Sequence, residues 1–245
     1  KQTVFVLLLQ VEYTEGVLEI YALPLAYAAA EAADTWRQRA PQAIVAGLSV
    51  TDRQESGILY DALWDDAFST LLLSVIERRR RTSGRQLNII AWTPKRRHER
   101  LLTPEETDAA TPSILKAQQR RVSIVYGNKL MLEVFRKIEP GTNPDLEVSR
   151  FLSARGFAAM APLLGALKFH RLGRDPSTWA VLHRFVEHES TARQYTAQTL
   201  DHYYERAVAK GAEVQQLALP CENLLECVSL EPPQLARDLI GFFLP

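Results

Sequence analysis

The sequence predicts an α+β fold in two units, each built from an antiparallel sheet and an amphipathic helix. Two pairs of β-rich runs surround short turns and are typical of hairpins: 4–13 with 17–27, and 121–126 with 129–137. A polar segment rich in Pro, Arg and Glu, at residues 93–112, separates the two halves. Because 245 residues are enough for two modest domains, we expect a boundary in this segment.

The first half combines strands with one amphipathic helix. Residues 28–40 fit a loop or a short helix, and strand patterns follow at residues 43–50 and 57–63. Asp65 and Asp66 then open a helix that ends in arginines at residues 78–81, with acids and bases placed to offset the helix dipole. Its predicted buried stripe is Phe68, Leu71, Leu72, Val75 and Ile76.

The second half begins with the hairpin around Gly127-Asn128 and continues with a capped helix. Asn143 is a good N-cap and Pro144 suits the first helical position. The predicted buried stripe is Val148, Phe151 and Leu152, and Gly156 marks the end of the helix. The later predicted elements are strands at 163–170 and 179–187, a helix at 191–210 with Ala197, Leu200, Tyr204, Ala207 and Val208 along one face, a strand-like run at 217–230 and a helix at 234–244.

Composition excludes several classes of protein. The 29 basic and 29 acidic side chains cancel, so no net field favours nucleic acid or an anionic membrane. No apolar run approaches the ~20 residues of a membrane helix. Cys221 and Cys227 fit neither a zinc knuckle nor a redox pair, and the five histidines have no metal-ligand spacing. We therefore expect a cytoplasmic protein without a metal site.

Short motifs along the chain carry a family resemblance. They are YALPLAYA at 21–28, ILYDALWDDAF at 58–68, SIVYG at 123–127, EPG at 139–141 with NPDLE at 143–147, APLLGAL at 161–167, QYT at 194–196, YYER at 203–206 and DLIGFFL at 238–244. In this order and spacing they resemble the bacterial maltokinase family, which is often fused behind trehalose synthase. The resemblance runs along nearly the whole chain.

The resemblance implies a protein-kinase-like fold related to aminoglycoside phosphotransferases. Residues 1–110 would form an N-terminal cap, residues 111–232 the small lobe, and residues 233–245 the start of a helix that leads into a large lobe. The family reaction is the ATP-dependent phosphorylation of maltose to maltose 1-phosphate. The chain starts at Lys1 in a strand-like run and stops before any catalytic lobe, so we expect a fragment with no catalytic residue of its own.

Three positions of the implied ATP site are Ser123, Glu133 and Glu147. A kinase small lobe supplies a loop over the phosphates, a strand lysine that contacts them and a helix glutamate that holds the lysine. By resemblance Glu147 is the helix glutamate and Ser123 belongs to the phosphate loop, but Glu133 stands where the family has lysine. Lys129 and Lys137 share its side of the strand, yet each is four residues away, ~13 Å along a strand.

Two further segments depart from the family. Arg120 and Arg121 replace part of a Ser-Asn-Thr-Ser turn; they could pair with phosphates or simply be solvated arginines at a strand end. Residues 190–193 read Ser-Thr-Ala-Arg where the family has Gly-Asp-Ala-Trp, although Thr191 also suits a helix N-cap. Binding of ATP and Mg²⁺, implied by the family, is therefore expected to be impaired.

Two alternatives to a fragment of a kinase domain are open at this point. The chain could be a pseudokinase-type scaffold that docks on a trehalose synthase-like partner through the helix at 66–81. It could also bind nucleic acid through the arginines at 78–81, Arg85 and the basic residues at 95–97, although the neutral total charge and helix-end location argue against this.

Overall fold

The computed structural model describes residues 3–50, 55–84, 87–94, 101–103, 106, 111–117, 120–171, 173 and 175–209. The chain divides into two compact units, residues 1–186 and residues 187–245. Two antiparallel sheets and few helices make up the described part, so the predicted α+β class is confirmed. The predicted boundary between a cap and a small lobe near residue 110 stays a prediction.

A four-stranded sheet, called the cap sheet below, begins the first unit. Its strands are β1 (Val4–Val11), β2 (Glu19–Ala29), β3 (Ile44–Val50) and β4 (Glu55–Asp61), in the order β1-β2-β4-β3. The antiparallel pairing of β1 with β2 confirms the predicted first hairpin. Residues 28–40, left open between loop and helix, contain helix α1 (Ala30–Arg39).

Helix α2 (Asp66–Glu77) forms as predicted, and the residue before it caps its N-terminus. The Asp65 carboxylate accepts a hydrogen bond from the Ala67 amide at 2.8 Å, which satisfies one free amide of the first turn. The predicted stripe is buried except for Leu71, which is exposed; Leu73 is buried instead. The stripe prediction was wrong at Leu71 because spacing fixes the helix face only to within about one residue.

A seven-stranded antiparallel sheet, the main sheet below, fills the rest of the first unit. Its strands are β5 (Arg81–Ser83), β6 (Asn88–Trp92), β7 (Pro112–Ala117), β8 (Arg121–Tyr126), β9 (Leu130–Phe135), β10 (Leu163–His170) and β11 (Ser177–Arg184). Their order is β5-β6-β10-β11-β9-β8-β7. The pairing of β8 with β9 confirms the second predicted hairpin, and strands on both sides of residue 110 share this sheet.

Helix α2 contacts the main sheet through close packing at two places. The buried Tyr126 hydroxyl donates a hydrogen bond to the Ser69 carbonyl at 2.8 Å. A Cβ atom built on Gly165 of β10 would lie 2.5 Å from Cγ2 of Ile76. The glycine therefore lets the helix approach the sheet closely.

Helix α3 (Pro144–Ala154) connects β9 to β10 and contacts β10 and β11. Its buried residues are Leu146 and Ser149, whereas Val148 and Phe151 of the predicted stripe are exposed. The prediction was wrong at Val148 and Phe151, because the helix packs on the sheet through the face that carries Leu146 and Ser149; Leu152 is partly buried. The exposed Phe151 ring instead carries the Arg155 guanidinium at 3.5 Å from its centroid, a cation–π contact.

The described part of the second unit contains helix α4 (Ala192–Ala209). The Thr191 hydroxyl accepts from the Gln194 amide at 3.3 Å, and the Gln194 side-chain oxygen accepts from the Thr191 amide at 3.0 Å. This reciprocal pair is a capping box, which confirms Thr191 as an N-cap. The apolar residues Leu200, Tyr204 and Val208 on the predicted face are exposed.

Several sequence predictions fall on residues outside the described ranges. They concern Cys221 and Cys227, the strand-like run at 217–230, the helix at 234–244 within the predicted segment 233–245, and the basic residues at 85 and 95–97. Over the described residues, no helix combines the length and the apolar character required to cross a membrane.

Candidate functional site

One row of side chains crosses the middle of the main sheet and contains two of the predicted site residues. Ser123 of β8 lies opposite Glu133 of β9, and Glu133 lies opposite Val181 of β11. Directly opposed residues in antiparallel strands have their side chains on the same face. The structure therefore brings Ser123 and Glu133 together, with Ser123 buried and Glu133 19% exposed along its side chain.

Arg121 lies between Glu133 and the first turn of α3. Its Nη1 atom is 3.6 Å from Glu133 Oε1 and 3.9 Å from Asp145 Oδ2. Arg121 is two residues before Ser123 on β8, so both side chains are on the same face of the strand. The Glu133 carboxylate thus has an arginine from the neighbouring strand as its ionic partner.

A cavity of about 330 Å³ opens beside this ion pair. It is lined by Arg121, Glu133, Pro144, Asp145, Val148, Ser149 and His183. The volume is in the lower part of the range for small-molecule sites. Ionic groups of both signs therefore line a space that could hold part of a ligand.

Local structure fixes α3 at the rim of this cavity. The Asn143 side chain accepts a hydrogen bond from the Asp145 amide at 2.8 Å, as the sequence predicted for an N-cap. The Asn143 amide donates to Thr178 Oγ1 of β11 at 3.1 Å. The cap therefore joins the first turn of α3 to the sheet, and this connection sets the position of Asp145.

His183 of β11 forms another wall of the cavity and is buried. Its Nδ1 atom lies 3.3 Å from the Ala161 carbonyl oxygen in the segment before β10. This contact fixes the ring if Nδ1 carries the proton. Among the described residues, no group of three or more His, Cys, Asp or Glu side chains is arranged to hold a metal ion.

Glu147, the predicted helix glutamate, is exposed and is not among the residues that line the cavity. It lies two residues after Asp145, which corresponds to about 200° around the helix. Asp145 is instead the first-turn acid of α3 that shares the cavity with Glu133. A role for Glu147 in nucleotide binding stays a prediction.

The two lysines that flank Glu133 in the sequence have other partners. Lys129 Nζ is 3.7 Å from Glu106, and Lys137 Nζ is 2.5 Å from Glu19 in the cap sheet. Both lie outside the bounds of β9, which begins at Leu130 and ends at Phe135. Neither lysine is among the residues that line the cavity.

Asp145 and His183 were not singled out as site residues by the sequence analysis. Asp145 belongs to the NPDLE motif, but the resemblance assigned the site role within this motif to Glu147. His183 is one of five scattered histidines, and no spacing rule relates residue 183 to residue 133. The register of β11 against β9 places Val181 opposite Glu133, so His183, two residues further on the same face of β11, lines the same cavity as Glu133.

No family model matches the chain. Solved structures similar to it include sugar kinases. The particular proteins are glucosamine kinases: one in complex with glucosamine, ADP and inorganic phosphate (13% identity, TM-score 0.42, covering 85% of this chain and 40% of that chain), and crystal form A (11% identity, TM-score 0.40, covering 84% and 40%). This chain spans about 40% of the length of these kinases.

Proposed function

We propose that this chain is the N-terminal portion of a maltokinase-like domain, in which a cap at residues 1–110 precedes a small lobe that covers a nucleotide. The observation that carries the proposal is the order of elements in the main sheet. The hairpin β7–β8 is followed by β9, helix α3 and the pair β10–β11. Kinases place the phosphate-covering loop, the strand lysine and the helix glutamate on elements in this order.

The site supports a small lobe with a changed nucleotide cleft. Glu133 of β9 occupies the position of the strand lysine by resemblance, and Asp145 adds a second carboxylate to the same cavity. Two carboxylates repel a phosphate chain and do not fit an ATP site that is built around lysine. Weak binding of Mg-ATP is the expected consequence.

The reaction of the resembled family is phosphate transfer from ATP to maltose, which yields maltose 1-phosphate. In such enzymes the acids that activate the acceptor and bind the metal belong to a large lobe. No His-Gly-Asp sequence occurs in the 245 residues. We therefore propose that these residues by themselves do not phosphorylate maltose.

Calorimetric titration with Mg-ATP tests the nucleotide cleft. The unchanged chain should bind weakly, and Glu133→Lys should bind at least about tenfold more tightly, because it supplies the cation that phosphate requires. Glu15→Lys, in the turn before β2, adds the same charge elsewhere and should change nothing. Tight binding by the unchanged chain would contradict the degenerate cleft, and no binding by Glu133→Lys would contradict the nucleotide cleft itself.

A docking module for a trehalose synthase-like partner is the second candidate function. The outer face of edge strand β1 favours it, because Phe5, Leu7 and Leu9 alternate along the strand and are exposed. Helix α2, the surface expected from the sequence, is less suitable because six of its residues are buried: Phe68, Ser69, Leu72, Leu73, Val75 and Ile76.

Size-exclusion chromatography with light scattering, with and without trehalose synthase, tests the docking proposal. A complex with the partner is expected, and Leu7→Glu should weaken it, because a charge would enter an apolar contact. Val17→Glu, in the exposed turn before β2, is the matched control. Equal mobility of the chain with and without the partner would contradict docking.

A further inference from the structure

Among the described residues that line the cavity beside α3, Arg121 is the one lysine or arginine side chain. It is held by Glu133 at 3.6 Å and by Asp145 at 3.9 Å. Both distances exceed the 2.7–2.9 Å of a close charge-assisted hydrogen bond. The arginine therefore lies between two acids without being locked to either of them.

The exposure of these groups indicates that the arrangement can open at little cost. The Arg121 side chain is 45% exposed and that of Asp145 is 54% exposed, so water screens their attraction. Arg121 lies at the first position of β8, where its long side chain can turn toward solvent or into the cavity. A ligand with more negative charge than a single carboxylate could compete for it.

We propose that Arg121 is the phosphate-binding cation of this cleft, and that Glu133 and Asp145 pair with its guanidinium when no phosphate is present. The inference rests on the proposed nucleotide cleft and names the residue that determines its affinity. Relative to the family pattern, the cation has moved from β9 to the adjacent strand β8, and an acid has taken its former place. The ligand class is the polyphosphate chain of a nucleoside di- or triphosphate.

Charge arithmetic explains why such a cleft would bind phosphate weakly in the unchanged chain. Arg121, Glu133 and Asp145 together carry a formal charge of about −1, so an anion meets net repulsion before it reaches the arginine. Conversion of Glu133 to glutamine removes one acid and leaves Arg121 free for phosphate. The resulting gain in affinity should depend on Arg121, whereas a gain that came only from reduced repulsion would not depend on it.

Calorimetric titration of the full chain with Mg-ADP and with inorganic tripolyphosphate tests this inference. Glu133→Gln should bind both at least about tenfold more tightly than the unchanged chain, and Glu133→Gln with Arg121→Met should lose that gain. Asp145→Asn also removes one acidic partner of Arg121. Because Asp145 is exposed, its gain in affinity should be smaller than that of Glu133→Gln. Glu133→Gln with Arg37→Met is the control, since Arg37 is a half-exposed arginine paired with Asp34 at 2.6 Å.

The outcomes separate the inference from the proposed function. A gain that survives Arg121→Met, or no gain in Glu133→Gln, overturns the role of Arg121. Glu133→Lys with Arg121→Met then decides the wider question: if it binds Mg-ADP, the cleft accepts nucleotide and only the inference fails, whereas if it does not bind, the proposed function fails as well. Thermal unfolding of each variant establishes that it is folded before titration.

Discussion

The Arg136 guanidinium donates a hydrogen bond to the carboxylate of Asp61, and this ion pair joins the main sheet to the cap sheet. Arg136 follows β9, whereas Asp61 ends β4. The backbone strengthens the same junction, because the Ala22 amide donates to the Arg136 carbonyl at 2.7 Å and the Ile138 amide to the Ile20 carbonyl at 2.7 Å. The segment after β9 thus runs alongside β2 and connects the two sheets.

Asp61→Ala should lower the free energy of unfolding by about 3–5 kcal/mol, because it leaves a poorly exposed arginine without its partner. It also removes the acceptor of the Leu63 amide, which donates to Asp61 at 3.0 Å. Urea unfolding followed by circular dichroism measures the change. Asp34→Ala, which removes the exposed partner of Arg37, should cost less than about 1 kcal/mol. Equal costs for the two variants would contradict a structural role for the Asp61 pair.

Glu19 should give the protein an acid-sensitive contact between the sheets. The hydrogen bond from Lys137 at 2.5 Å, and then that from Tyr21 at 2.6 Å, lower the pKa of Glu19 from 4.5 to about 2. A lowered pKa in the folded state contributes stability at pH values above 4.5, and that contribution is lost as the pH falls from 4.5 to about 2.

Glu19→Gln tests this pH dependence. Its unfolding free energy should be lower than that of the unchanged chain at pH 7, and the difference should shrink as the pH falls through that window. Chemical unfolding at closely spaced pH values measures both curves. Glu15→Gln, in the preceding turn, serves as the control and should follow the unchanged chain. Parallel curves for Glu19→Gln and the unchanged chain would sink the prediction.

Gly165→Ala should destabilise the contact between α2 and the main sheet. The new methyl group would lie 2.5 Å from Ile76 Cγ2 and 3.1 Å from the Trp92 carbonyl oxygen, so a cost of about 1–3 kcal/mol is expected. Thermal and urea unfolding measure it. Gly47→Ala in β3 is the matched control, because a Cβ atom there meets nothing within 4 Å. In a chain that already carries Ile76→Ala, the change Gly165→Ala should cost less. An unchanged cost would show that the clash with Ile76 is not its cause.

Asn143→Ala should lower the free energy of unfolding by about 1 kcal/mol, because it removes the oxygen that caps the Asp145 amide. Asn143→Ser preserves an acceptor and should retain most of the stability. Urea unfolding of the three proteins provides the comparison. Equal loss in the alanine and serine variants would show that the cap contributes little.

Local patterns were the most reliable part of the sequence analysis. The turns at 14–16 and at Gly127-Asn128 produced the two expected hairpins, because alternation and turn residues act over a few positions. The caps at Asn143 and Thr191 were also identified, since a cap needs only a side-chain oxygen and an amide two or three residues later. These features depend on near neighbours in the sequence.

The candidate site was only partly predictable. Ser123 and Glu133 were identified by resemblance, and the register of β8 with β9 makes them neighbours. Asp145 and His183 were missed, because their approach to Glu133 depends on the angle of α3 and on a strand that follows β9 by more than 40 residues. Spacing rules do not extend over such separations.

The sequence by itself determined the hairpins, the capped helices and the α+β class, because each depends on local periodicity and on backbone hydrogen bonds between close residues. Tertiary structure alone decided that β5 and β6 join β10, that α3 buries Leu146 and Ser149, and that Arg121 lies between Glu133 and Asp145. Such contacts depend on long-range packing, in which several helix faces and strand partners compete and the best burial of apolar surface selects one arrangement.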